Sequence, residues 1–151
     1  MASFRGMFAI ALGLVLVIAV TMSLRIYLSP PPPTLEVTNV TLDPTTVNVG
    51  SLSTLTISVK SNDAATSHFL RIDFASHVLV TFLLGNQLLP TDGGKYYFTT
   101  TMNPSGQLTQ PFGVRATLES GIAQLVYQIT VNFYVDGKQF DSRTLTLTVK
   151  A

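Results

Sequence analysis

The chain contains no cysteine and no tryptophan, and only 11% of its 151 residues are charged. Without cysteine there is no disulfide scaffold, no thiolate-held zinc, no thiol nucleophile and no cysteine-linked lipid anchor. An ordinary soluble domain carries roughly 25% charge. The scarcity here, beside 46% hydrophobic residues, argues against both a disordered chain and a free cytosolic protein. Neither sign of charge is in excess: nine Lys and Arg face eight Asp and Glu. That balance removes the electrostatic footprint of a nucleic-acid binder, so nucleic acid is not an expected partner.

What is present divides into two parts. Residues 7–24 read MFAIALGLVLVIAVTMSL without a charge, between Arg5 and Arg25. Eighteen helical residues span about 27 Å, close to the ~30 Å hydrocarbon core of a bilayer. The run has no polar stripe, which a helix packed in a soluble core would show. It predicts a transmembrane helix over 7–28 behind a short tail, 1–6. The run is longer than the core of a cleaved secretory signal, and no A-x-A site follows it. An uncleaved signal anchor and a retained, pilin-type helix remain as its fates. Arg5-Gly6 directly before the apolar run resembles the leaders of archaeal pilins and archaellins. That resemblance implies cleavage between Gly6 and Met7, leaving the helix as a filament core. Basic residues near the span favour the N-terminus inside. Pro30, Pro31, Pro32 and Pro33 then stop any helix. The expected linker, 29–34, is a stiff polyproline spacer between bilayer and domain.

From residue 35 onward the pattern is β. Leu55, Ile57 and Val59 alternate with Thr56, Ser58 and Lys60. Leu70, Ile72 and Phe74 alternate with Arg71 and Asp73, and Val78, Val80, Phe82 and Leu84 keep that parity. The longest run is Leu125, Tyr127, Ile129, Val131, Phe133 and Val135, closed by Asp136-Gly137, a strong hairpin signal. In the first strand the phase slips between Val37 and Val40, which predicts a bulge or a strand changing sheets. Turn signals recur roughly every 8–12 residues with no helical period. The expected fold over 35–151 is all-β: an antiparallel sandwich of seven to nine strands, with a small closed barrel as the rival. Outward positions are mostly Thr, Ser, Gln and Asn. Residues 141–150, uncharged from Thr144 to Val149, form the strand most exposed to edge aggregation.

The segment Gly121-Ile122-Ala123-Gln124-Leu125-Val126-Tyr127-Gln128-Ile129 resembles the penultimate strand of an immunoglobulin-like domain. The resemblance implies a tyrosine corner at Tyr127, with Ile129 in the position of the inter-sheet cysteine and Ile57 as its partner. The hairpin from Phe133 to Leu145 is similar to the ends of CARDB-type adhesion-related domains of prokaryotic, possibly archaeal, surface proteins. The layout of helix, prolines and sandwich also resembles the membrane-anchored water-stress domains of the late-embryogenesis-abundant type 2 class.

Chemistry is sparse. His68 and His77 are nine residues apart and would face opposite sides of one strand, so they cannot share a metal there. Asp73, His77 and Arg71 share a parity, but no nucleophile accompanies them. Asp43, Asp63, Asp92 and Asp136 sit at turns, where Asp has backbone reasons to be. No calcium loop and no phosphate loop is present. The expectation is no enzyme, no metal and no cofactor. Asn39-Val40-Thr41 makes Asn39 a candidate N-glycosylation site. Three functions fit: a membrane-anchored extracytoplasmic binding or structural protein, a pilin- or archaellin-like filament subunit, and an accessory subunit of a membrane complex. The expected partners are the lipid bilayer and other membrane or surface proteins, a second copy included.

Overall fold

Residues that alternate between β-branched or aromatic and hydroxyl side chains can bury one face of a strand and solvate the other. The computed structural model describes residues 33–151, which form eleven strands, the longer ones built on this alternation. They are β1 (Leu35–Asp43), β2 (Thr46–Asn48), β3 (Leu52–Ser61), β4 (His68–Ala75), β5 (Val80–Leu84), β6 (Gln87–Leu88), β7 (Thr91–Asp92), β8 (Lys95–Met102), β9 (Gln107–Ala116), β10 (Gln124–Val135) and β11 (Lys138–Lys150). The predicted membrane helix, Gly6 and Met7 lie outside the described residues.

The strands form two sheets, with orders β1-β3-β9-β5-β6 and β2-β11-β10-β4-β8-β7. The domain is therefore a β-sandwich. The count exceeds the expected seven to nine because β2, β6 and β7 are only three, two and two residues long, too short to show an alternation. Antiparallel pairing also needs correction. β2 runs parallel to β11, Thr46–Asn48 beside Thr148–Lys150. Both readings of the phase slip hold. β1 bulges at Thr38, between the pairs Val37↔Val59 and Asn39↔Ser58. Past Asp43-Pro44, joined by a cis peptide, the chain moves to the second sheet as β2.

Inward residues of both sheets fill one core. Phe74, Phe82, Phe112 and Phe133 are buried, each contributing about 1.5–3 kcal/mol by leaving water. Phe74 stacks on Phe82 at 4.9 Å and meets Phe112 edge-on at 5.0 Å. Ile57 and Ile129 are buried on opposite sheets. Val78, placed by parity in a strand, instead lies in the turn before β5 and is 84% exposed.

Hydrogen bonds close both ends of the sandwich. At one end Asn62 donates through N–H to Thr34 O and through Nδ2 to Pro33 O, while Ser105 N–H donates to Asp63 O. At the other, Gly50 N–H reaches Ala116 O and Ala151 N–H reaches Ala123 O. The edge of β11 is blunted in three ways. β2 covers Thr148–Lys150, a bulge at Phe140 separates Phe133↔Asp141 from Tyr134↔Gln139, and Arg143 pairs with Asp141 at 2.9 Å.

Candidate functional site

β4 is the central element of the charged face. It lies between β10 and β8, so each outward side chain of β4 meets neighbours from two strands. His68 opens the strand on the inward parity of Leu70 and Ile72, at the end of the sandwich. Its Nδ1 lies 2.7 Å from Asp136 Oδ2 and its Nε2 lies 2.9 Å from Asp63 Oδ2. Two carboxylate acceptors require both ring nitrogens to donate, which is the imidazolium. The bonds to Asp136 and then Asp63 accordingly raise the His68 pKa. The His68 bond, helped by N–H donors from Ala65 and Thr66, holds Asp63 down to about 2. Asp136 is likewise lowered, by His68 and then by the Phe69 N–H at 3.0 Å. The trio joins the β3–β4 loop to the β10–β11 turn.

Three residues along, on the outward face, Arg71 donates from Nε to Asp73 Oδ1 at 2.6 Å and from Nη2 to Asp92 Oδ2 at 2.9 Å. Its guanidinium lies 4.8 Å over the Tyr97 ring. Asp73 and then Asp92 raise the Arg71 pKa, so the charge is permanent. Asp73 is buried although it faces outward. Beside this pair, Asn132 Oδ1 accepts from Ser142 Oγ at 2.8 Å and from Gln139 Nε2 at 3.4 Å. Phe69, Arg71, Asp73, Tyr134 and Gly137 line a shallow cleft of about 280 Å³.

The first sheet carries a different cleft, of about 500 Å³, with Val78, Leu83 and Leu88 among its lining residues. A third, of about 250 Å³, lies between the β1 bulge and residues 143–145 of β11.

Placement of the sequence candidates follows from this geometry. Asn39 is exposed on β1, next to the bulge. The Tyr127 hydroxyl donates to Thr117 O at 2.5 Å, and burial raises its pKa. His77 lies beyond the end of β4, its ring 5.6 Å from that of Tyr127, so the two histidines do not share a strand. Arg71 and Asp73 come together and His77 does not join them. The reading of Asp63 and Asp136 as turn residues misses their union with His68, which depends on β4 pairing with β10. Both His68 nitrogens are committed to carboxylates, and no His, Asp or Glu cluster among the described residues has the arrangement of a metal site. The face presents fixed donors, fixed acceptors and aromatic rings, which is equipment for binding.

No protein-family model matches the sequence, and no curated protein matches it. Solved structures do show distant similarity. One is the alkylpurine DNA glycosylase AlkC of Pseudomonas fluorescens, at 14% identity and TM-score 0.48, over 78% of this chain and 31% of that one. Another is a conjugative transposon lipoprotein from Bacteroides eggerthii, at 15% identity and TM-score 0.45, over 78% and 95%. A third is the major pilin SpaD of Corynebacterium diphtheriae, at 14% identity and TM-score 0.45, over 77% and 34%. The chain thus spans about a third of the glycosylase and of the pilin.

Proposed function

We propose that this is a membrane-anchored, extracytoplasmic protein of binding or structural type, with an immunoglobulin-like sandwich held off the bilayer by its proline spacer. One observation carries the reading. The uncharged run of residues 7–24 precedes four prolines and then a domain whose strands are coated mainly by neutral hydroxyls and amides. Such a segment partitions into hydrocarbon, and such a coat suits a surface free of the demands of cytosolic solubility. The immunoglobulin-like assignment is supported by a first strand split between sheets and by the Tyr127–Thr117 bond across the turn preceding β10. One feature departs from that fold: β5 joins the first sheet although it lies in the chain between β4 and β8, neighbours in the second. Partners on this reading are membrane or surface proteins, a second copy among them.

Alkaline extraction of membranes tests the anchor. Full-length protein is expected to stay with the lipid pellet, and protease added to sealed cells is expected to digest the sandwich. Release into the alkaline supernatant would refute the anchor, and protection in intact cells would refute the orientation. Arg5-Gly6 favours one further reading, a filament subunit processed before Met7. Intact-mass spectrometry separates the two: a native chain starting at Met7 supports the filament, and one starting at Met1 or Ala2 supports the anchor.

A further inference from the structure

We propose that the cleft between Phe69 and Tyr134 binds a neutral saccharide. The proposal deepens the binding reading above and rests on it. Phe69 is 49% exposed on a strand whose inward neighbours, Leu70 and Ile72, already fill the core. Its ring is not needed for packing and stands free as an apolar wall. Tyr134 forms a second aromatic wall, and Gly137 leaves the space beside them open: a Cβ built there would meet nothing within 4 Å. Aromatic walls offer large, rigid contact area to the apolar C–H face of a sugar ring.

The polar groups select the class of ligand. Arg71 is fixed by Asp73, Asp92 and the Tyr97 ring, so its remaining N–H groups point in set directions. Asp73 uses Oδ1 for Arg71, and its Oδ2 has no bonding partner among the described residues. A donor and an acceptor therefore stand side by side, held without cost at the moment of binding. A vicinal pair of hydroxyls matches them, because each hydroxyl both donates and accepts. Charge narrows the choice. An anion approaching Arg71 also meets two carboxylates, and a cation approaching Asp73 Oδ2 also meets the guanidinium held at Oδ1. A wholly apolar ligand would strip water from Arg71 and Asp73 and return no hydrogen bond. A cleft of about 280 Å³ lies at the small end of ligand sites, which suits one or two sugar rings or the end of a chain.

The test is calorimetric titration of the full-length chain in lauryldimethylamine oxide, a detergent with no sugar headgroup. The probes are maltotetraose, cellotetraose, mannotetraose and tetra-N-acetylchitotetraose, with trigalacturonate as an anionic comparison. At least one neutral probe is expected to saturate a single site. Phe69→Ala and Asp73→Asn should each weaken it about tenfold or more, whereas Leu88→Ala, on the other sheet, should leave it unchanged. A melting temperature close to that of the parent shows that a variant has folded, and the Phe69→Ala result stands alone if Asp73→Asn has not. The proposal is overturned if no neutral probe saturates by about 10 mM, if Phe69→Ala binds like the parent, or if trigalacturonate binds more tightly. A chain that stays in the membrane but binds no sugar refutes this inference alone. One that binds sugar but is released by alkali refutes the anchor alone.

Discussion

The outward residues of β3 and β9 are uncharged from Leu52, Thr54, Thr56 and Ser58 to Gln107, Thr109, Pro111 and Gly113, with charge confined to Lys60 and Arg115 at either end. Ser58 and Thr109 link by their hydroxyls at 3.0 Å, across a pair of neighbouring strands. On the other sheet, β4 presents Arg71 and Asp73 outward, bonded to each other and through Arg71 to Asp92, while His68, on the inward parity, holds Asp63 and Asp136 at the end of the sandwich. One face uses neutral groups that tolerate displacement. The other uses ionised groups whose positions depend on one another. A single core supports both, so their difference is a difference of surface chemistry and not of backbone.

Breaking that core should remove both faces together. Phe112 is buried against Phe74 and Phe98. Phe112→Ala is expected to cost about 3–5 kcal/mol in chemical denaturation. Hydrogen exchange should then accelerate on both sheets; acceleration on one sheet only would show that the faces unfold as separate units. A smaller loss is expected at the β10–β11 turn, where Gly137 has φ +82. Gly137→Ala forces an L side chain into the left-handed region and should lower stability by about 1–2 kcal/mol. An unchanged denaturation midpoint would contradict that turn geometry.

The next expectation concerns pH, and the trio of His68, Asp63 and Asp136 should carry the response. The folded-state pKa of His68 is raised, so its contribution is complete below the unfolded value of 6.5 and disappears as pH climbs through the folded value. Asp63 and Asp136 are lowered, so theirs is complete above 3.8 and disappears as pH falls through their folded values, about 2 for Asp63. Thermal melts should therefore peak between those two limits and decline on both sides. His68→Asn should flatten the alkaline decline, and Thr109→Val on the neutral face should leave the profile's shape intact. A decline that survives His68→Asn would place the titrating group elsewhere. The smallest effect belongs to the neutral face. A Cβ at Gly113 would meet Leu52 and Leu83 at 3.4 and 3.5 Å, and no left-handed backbone opposes it. Gly113→Ala is expected to stabilise by about 0.5 kcal/mol, read as a small rise in melting temperature.

The sandwich is legible in the sequence because burial between two sheets imposes a period of two, and Tyr127 to Phe133 keep it without a break. The short strands are not legible, since β6 has only Gln87 and Leu88 to carry a pattern. Parity also fails beside the cleft of the first sheet. Leu83 faces outward yet is 9% exposed, covered along the row above Gly113, while Leu84 on the inward parity is 37% exposed near the sheet margin. The charged face was legible as residues and not as a constellation. Arg71 and Asp73 are neighbours in any strand, but Asp92 and Asp136 reach β4 only through the pairing of β7 with β8 and of β10 with β4. Register of that kind is a tertiary property, and the period-two signal says nothing about it.

Leu35 and Lys150 lie at opposite ends of the sandwich, and the strands that carry them, β1 and β11, belong to different sheets. Tension applied between these two points would slide β1 along β3, and β11 along β10 and β2, so that many ladder bonds share the load instead of parting one by one. Stretched in a single-molecule trap, the domain should yield abruptly at high force, whereas a handle moved to the β10–β11 turn should let it unzip at a lower one.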